Sequence, residues 1–217
     1  DAAAHPISLS RMMYIAANRK RFTPEVFSLL LGVTDDAGVS PFWEAVGRKF
    51  FGRDFADIEI ESGGRSRTFI AEVMPSYPVY VPLLPEAAQR VLGEPDEKAW
   101  LAYDIHQEEG FETDRYIDIF DAGPVLTAQI DRAACVARNE NRVVRETASA
   151  AQGPTYLLAS NREGDFRCVL ADLSVDSATG AALPAAVRDA LGVRDGDTVR
   201  CVPLHQTAQN EYPGEAQ

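Results

Sequence analysis

The sequence predicts an α+β fold: a mixed sheet with flanking helices, followed by a small antiparallel β unit. Three observations carry this reading. Between Ser40 and Phe51 apolar residues recur at helical spacing, between Phe111 and Asp121 they alternate as on a strand, and after residue 153 short apolar runs are separated by turn signals. Helical and strand patterns interleave along the first 130 residues, unlike an all-α bundle or an all-β sandwich.

In chain order, the first helix is expected from about Ile7 to Arg21, with Met12, Met13, Ile15 and Ala16 available for burial. Thr23-Pro24 stops it, because a residue before proline is disfavoured in helical backbone. Val26 to Leu31 is a continuous apolar run, the pattern of a strand buried on both faces. Asp35-Asp36-Ala37-Gly38 reads as a turn, and Ser40 then Pro41 as an N-cap with proline at the first helical position, where a missing N–H costs nothing. Trp43, Val46, Gly47, Phe50 and Phe51 form an apolar stripe about 100° wide, with Arg48, Lys49 and Arg53 off it. Ser62-Gly63-Gly64 is a flexible turn before a strand from Arg67 to Met74, on which Glu72 faces away from Phe69, Ala71 and Val73. Pro75, Pro78 and Pro82 then force an extended passage through Tyr77 and Tyr80.

Pro85 to Leu92 is a short helix closed by Gly93, and Glu97 to Glu109 a second, with Leu101, Ile105 and Trp100 turned inward. His106 reads as a surface or half-buried histidine of that helix. Phe111 to Asp121 is a strand with Ile117 and Ile119 on one face and Tyr116, Asp118 and Phe120 on the other, ended by the Asp121-Ala122-Gly123-Pro124 turn. Val125 to Ile130 is the next strand. Residues 1–130 are therefore read as one α/β domain, 131–153 as a polar, alanine-rich linker, 154–204 as a small β-rich domain and 205–217 as a mobile tail. The small domain has strands at Tyr156–Ser160, Phe166–Leu173 and Thr198–Leu204, a helix opened by Leu183-Pro184 that ends near Gly192, and a tight turn at Asp195-Gly196.

With 217 residues, 46% of them hydrophobic, the chain can bury a sizeable core. A formal net charge of −12 argues against nucleic acid or an anionic membrane as partner, since both need clustered positive charge. Arg19-Lys20-Arg21 is a local basic patch able to serve one phosphate group. Cys135, Cys168 and Cys201 are odd in number and widely spaced, so reduced thiols are expected, and His5, His106 and His205 complete no metal-ligand pattern with them. No apolar run approaches the roughly 20 residues needed to span a bilayer, and no signal-peptide pattern opens the chain, so a cytoplasmic location without membrane partner is expected. A start at Asp1 is read as processing, trimming or one piece of a longer polypeptide.

Three long stretches resemble, in the same order, the arginine N-succinyltransferase family: GVTDDAGVSPFWEAVGRKFFGRDF at Gly32–Phe55, FIAEVMPSYPVYV at Phe69–Val81 and EEGFETDRYIDIFDAGP at Glu108–Pro124. The resemblance runs from about Ser8 to Leu204 and covers the later part of the family's length. It implies a GNAT-like fold whose acyl-CoA-binding first half precedes these motifs and is missing here. It also implies transfer of succinyl from succinyl-CoA, a co-substrate rather than a bound cofactor, to the α-amine of arginine.

The resemblance further proposes site residues. Glu72 and Asp118, with Asp121 beside it, are retained carboxylates of the kind that hold a guanidinium; apart from the resemblance, Tyr80, like Tyr77, is amphipathic and a candidate pocket wall. Each also has a structural reading: an exposed glutamate, aspartates that cap turn N–H groups, and a tyrosine covering the core edge. Asp96 falls where the family's proton-transfer histidine is expected. With a pKa of about 3.9 against about 6.5 for histidine, an unperturbed aspartate accepts a proton weakly and donates none readily at neutral pH. An acidic cluster of Glu94, Asp96 and Glu97 before a helix is also an N-terminal cap. Ala2-Ala3-Ala4 stands where the family has its glycine-containing phosphate loop, and Leu29, Leu30 and Leu31 where it carries a charged pair. The readings left open are a subunit whose arginine site is completed by a second acyltransferase-like chain or by its own missing first half, a catalytically dead structural or regulatory subunit, and an acyltransferase with a changed substrate. The first two call for a partner chain.

Overall fold

The computed structural model describes residues 4–54, 57–58, 72–74, 76–147, 153–162, 164–173, 175–176 and 180–204. The chain divides into two compact units, Thr23–Ala133 and the pair of segments Asp1–Phe22 with Ala134–Gln217.

In the unit Thr23–Ala133, strands β1 (Glu25–Leu29), β2 (Glu112–Ile117) and β3 (Pro124–Gln129) form an antiparallel sheet in the order β1-β3-β2. The most apolar strand takes the centre: Val125, Leu126 and Ala128 of β3 are buried. Among the described residues that leaves β1 at an edge, and the run expected to be buried on both faces instead alternates in exposure. Phe27 and Leu29 are 68% and 53% exposed. Leu29 and Tyr116 both stand opposite Val125, and Phe27 opposite Thr127, so all three exposed side chains share one face of the sheet.

The helix expected after Ser40 forms, with one departure. Ser40 is fully buried and its hydroxyl accepts the Trp43 amide at 3.3 Å, as a capping serine should. Trp43–Gly47 is then a π-helical turn that runs into α2 (Arg48–Phe51), ended by Gly52 at φ 66°. The wider turn shifts the helical phase. Phe50, expected in the apolar stripe, is consequently 41% exposed, while Phe51 stacks on the buried Trp43 at 5.5 Å. Gly47 makes this fit, because a Cβ there would lie 2.1 Å from the Trp43 ring. Phe42 and Val46 join Val91 and Ala122 in the local core.

Helices α3 (Glu86–Arg90) and α4 (Trp100–Glu108) follow. A 3-10 turn, Glu97–Ala99, leads into α4 and resets its phase, so Ile105 is buried as expected but Trp100 and Leu101 are partly exposed. His106 is more buried than its sequence position implied. Its Nδ1 lies 2.6 Å from the Ala102 carbonyl oxygen, and its ring meets Phe111 edge-on at 4.9 Å. Strand β2 stops at Ile117, short of the expected Asp121, because Asp118 starts the turn by accepting the Phe120 amide at 2.7 Å.

The other unit holds α1 (Ala4–Ala17), a 3-10 turn at Arg19–Arg21, α5 (Ala134–Arg138), β4 (Glu140–Glu146), β5 (Thr155–Ser160), β6 (Cys168–Asp172), β7 (Val175–Asp176), β8 (Gly180–Leu183), α6 (Ala185–Leu191) and β9 (Thr198–Pro203). The strands make a six-stranded sheet in the order β6-β5-β9-β4-β8-β7. Pairing is antiparallel except between β4 and β8, so the sheet is larger than the small antiparallel unit expected and contains one parallel pair. Its core is Val144, Leu158, Leu173, Leu183, Leu191 and Val199 with their neighbours.

Two boundaries differ from the sequence reading. Helix α1 packs on α5 and β5, so it belongs with the later unit rather than with the residues up to 130. Residues 134–146, expected to be linker, are α5 and β4; Val144 is fully buried, but the arginines and glutamates around it dilute the strand pattern. Residues 148–152 of that linker, the 59–71 segment and the 205–217 tail lie outside the described residues. The α+β class itself is what the sequence predicted.

Candidate functional site

Three chain segments of the unit Thr23–Ala133 meet at one junction. Asp121 is buried, and its two carboxylate oxygens accept the Gly32 and Gly123 amides, each at 2.8 Å. The Leu30 amide donates to the Pro124 carbonyl at 3.1 Å, Gly93 to Ala122 at 2.9 Å and Asp96 to Leu31 at 2.8 Å. The end of β1, the 93–96 loop and the β2–β3 turn are thus tied together. Glycine is required at two of the crossings: a Cβ on Gly32 would lie 2.5 Å from the Asp121 carbonyl oxygen, and one on Gly123 would lie 2.2 Å from that of Leu30.

This junction gathers some of the sequence's candidate residues and not others. Asp96, buried at 8% exposure, lies there, but its carboxylate accepts the Lys98 amide at 3.0 Å and caps the 3-10 turn. Asp118 lies in the same turn as Asp121, with one oxygen on the Phe120 amide. Tyr80 is 73% exposed, just ahead of a 3-10 turn at Val81–Leu83. Glu72 is exposed and helical together with Val73, which corrects the C-terminal end of the strand expected there. Residues 67–71 and Ala2 and Ala3 are outside the described residues.

Beside the junction opens a cavity of about 430 Å³, lined by Glu94, Tyr103, Thr113, Arg115 and Tyr116. Gly93, at φ 76°, turns the chain out of the preceding helix and sets Glu94 at the opening. Thr113, Arg115 and Tyr116 reach it from β2, whose pairing with β3 shifts register between Glu112 and Tyr116. The Arg115 guanidinium lies 3.6 Å from Glu25 and 4.0 Å from Glu112, beyond ordinary hydrogen-bond length, and is more than half exposed. A carboxylate and a loosely held guanidinium in one opening suit a zwitterion, whose carboxylate fits the arginine fork and whose cation fits the glutamate. The whole net charge of −12 also belongs to Thr23–Ala133, where 21 Asp and Glu face 9 Lys and Arg, a field that attracts cations.

Glu94 and Arg115 were missed in the sequence because Glu94 was read only as part of an acidic cap. No local signal joins Arg115 to Glu94, because β2 shifts register between Glu112 and Tyr116, where alternation no longer fixes the face. Among the described residues no group of His, Cys, Asp and Glu is arranged to hold a metal ion, and no helix is long and apolar enough to cross a membrane.

A family model described as the arginine N-succinyltransferase beta subunit matches residues 1–135, and one for the C-terminal domain of that subunit matches residues 140–203. The chain is 42% identical over 197 residues to arginine N-succinyltransferase subunit alpha of Pseudomonas aeruginosa, an alignment covering 91% of this chain and 58% of the relative. It is 40% identical over 202 residues to the arginine N-succinyltransferase of Photorhabdus laumondii, with the same coverage. The solved structure of arginine/ornithine succinyltransferase subunit AI from Pseudomonas aeruginosa superposes with a TM-score of 0.82 at 37% identity, covering 94% of this chain and 58% of that one. The chain thus spans 58% of the length of these relatives. On sequence and structure together, it belongs to the arginine N-succinyltransferase family.

Proposed function

We propose that the chain is a subunit of an arginine N-succinyltransferase, acting with a companion chain in the cytoplasm to move succinyl from succinyl-CoA to the α-amine of arginine during arginine breakdown. The observation that carries this reading is the pairing of Glu94 and Arg115 across one cavity at the Gly93 turn, in a member of this family. In the reaction the neutral amine attacks the thioester carbonyl, a C–N bond forms, the C–S bond breaks, and the amine proton ends on the departing sulfur. Arg115 holds the substrate carboxylate, and Glu94 takes the proton released at nitrogen and passes it on, so that it ends on the departing sulfur and Glu94 is again a carboxylate. Donors to the oxyanion and the acyl-CoA phosphates come from the companion chain, built like the GNAT-like first half of the family. Succinyl-CoA is a co-substrate in this scheme, not a resident cofactor.

The open edge of β1 supports the need for a companion. Among the described residues β1 pairs only with β3, and Phe27, Leu29 and Tyr116 are exposed on one face. A non-catalytic subunit is the second reading, favoured by Asp96, whose carboxylate caps a turn at the position assigned to proton transfer.

The test is succinyl-CoA-dependent thiol release with arginine, on the assembly purified from its own cells and sized by native mass spectrometry. Turnover only in the complex, lost in Glu94→Gln and Arg115→Gln but kept in Asp96→Ala, is the expected result. Turnover that survives both cavity variants makes this chain the structural subunit. A complex active on a different amine or acyl-CoA moves the assignment to a changed substrate, and no complex with no turnover rejects the arginine reading.

A further inference from the structure

The acidity of the chain conceals a strongly basic recess. Five of its 21 basic side chains, Arg19, Lys20, Arg21, Arg162 and Arg200, line one cavity of about 640 Å³ in the unit that contains α1 and the six-stranded sheet. Like charges gather against their mutual repulsion, so such a cluster is destabilising unless an anion relieves it.

The cluster is also held in place. The Arg21 guanidinium donates to the Tyr14 hydroxyl at 3.1 Å, Arg162 to the Gly192 carbonyl at 2.6 Å, and Arg200 to the Asn139 amide oxygen at 2.6 Å. Asn139 is fixed in turn, its amide donating to the Val136 carbonyl at 2.6 Å. The acceptors of these three anchoring bonds, from Arg21, Arg162 and Arg200, are neutral oxygens. Of the carboxylates in the adjoining turn, Asp165 is engaged by Arg167 at 3.0 Å, and Glu163 lies outside the described residues.

Arg200 gives a second, independent indication. Its Nε is buried and has no hydrogen-bond partner, the condition of a donor awaiting an acceptor. Burial correspondingly pulls its pKa below the ordinary value for arginine. Tyr14 and Phe166, in edge-on contact at 5.1 Å, add an aromatic wall beside the cations.

We infer that this recess binds a small organic phosphate of nucleotide size, with Arg21, Arg162 and Arg200 on the phosphate oxygens and Tyr14 and Phe166 beside the organic part. Guanidinium groups match phosphate by paired, charge-assisted donors, and a cavity of this volume admits more than one phosphate group. The recess lies at the C-terminal end of α1, about 20 Å along the helix from its first residue, Ala4. Its lining shares no residue with that of the Glu94–Arg115 cavity. The inference therefore stands whether or not the chain takes part in succinyl transfer.

Isothermal titration of the full chain with inorganic pyrophosphate, ADP and adenosine, at fixed ionic strength, tests it. Saturable binding of pyrophosphate and ADP, no binding of adenosine, and about tenfold weaker affinity in Arg200→Gln and in Lys20→Gln are expected. Lys20 is exposed, so its variant keeps the test informative should Arg200→Gln unfold the sheet. Lys49→Gln, on the other unit, leaves affinity unchanged. Tighter binding of ADP than of pyrophosphate assigns a role to the aromatic wall, whereas equal binding makes the site a plain phosphate site. Absence of saturable binding, or affinities indifferent to both Arg200→Gln and Lys20→Gln, overturns the inference.

Discussion

Asp121 and Gly32 are 89 residues apart in sequence, yet a single buried hydrogen bond of 2.8 Å from the Gly32 amide to the Asp121 carboxylate locks the end of β1 to the β2–β3 turn. The same carboxylate serves the Gly123 amide. Replacing Asp121 by alanine strands two buried N–H groups and is expected to cost about 3 kcal/mol of unfolding free energy. Asp121→Asn, which keeps one accepting oxygen, should lose roughly half as much. Urea unfolding of the two variants checks the ratio, and equal losses would show that the second oxygen contributes nothing.

Asp96 is expected to matter for folding and not for chemistry. Its role as a cap predicts that Asp96→Ala lowers stability by about 1 kcal/mol, with Asp96→Asn closer to wild type because asparagine also caps. Thermal unfolding measures the first part. A large fall in thiol release by the assembly, out of proportion to the loss of folded protein, would return Asp96 to the catalytic list.

At Gly47 the prediction is steric. A methyl group there meets the Trp43 ring at 2.1 Å, and the ring has Phe51 on one side and Phe120 at 5.7 Å on another. Gly47→Ala is expected to destabilise the unit by about 2 kcal/mol, against the usual gain from alanine in a helix. Near-ultraviolet circular dichroism, sensitive to the tryptophan environment, should change with it.

The buried thiol of Cys201 sets a pH dependence. Burial pushes its pKa up to about 12 from an ordinary value of 9.0, so the folded chain holds a proton that the unfolded chain releases. This contribution to stability is whole below about pH 9 and is lost as pH rises toward 12, by at most about 1.4 kcal/mol per pH unit. Half-buried Cys168, raised to about 11, adds a weaker slope of the same sign. Unfolding curves taken from pH 8 to 10.5 should therefore fall less steeply for Cys201→Ala than for wild type, and parallel curves would refute the assignment.

Sequence signals were strongest where one short motif decided the backbone. Ser40-Pro41 placed a helix start that the structure reproduces, and Gly192 and Gly196 marked turns that need positive φ. They failed where tertiary pairing decided. Nothing local in Val26–Leu31 says that β3 outcompetes it for the centre of the sheet, and the charges flanking Val144 hide a strand that is held by β9 on one side and β8 on the other. The candidate site shows the same division. Asp118, Asp121 and Asp96 do converge, but for backbone capping, while the open pair Glu94 and Arg115 is joined only by folding.

Helix α1 packs with elements that begin only at Ala134, after the whole of Thr23–Ala133 has been made. Leu9, Met12 and Met13 are thus buried in a unit whose other elements are synthesised only after the whole of Thr23–Ala133, so that core closes late in synthesis. The acidic unit, whose contacts are continuous in sequence, can close without waiting for residues beyond Ala133, whereas the unit with the six-stranded sheet must hold its two segments until both exist.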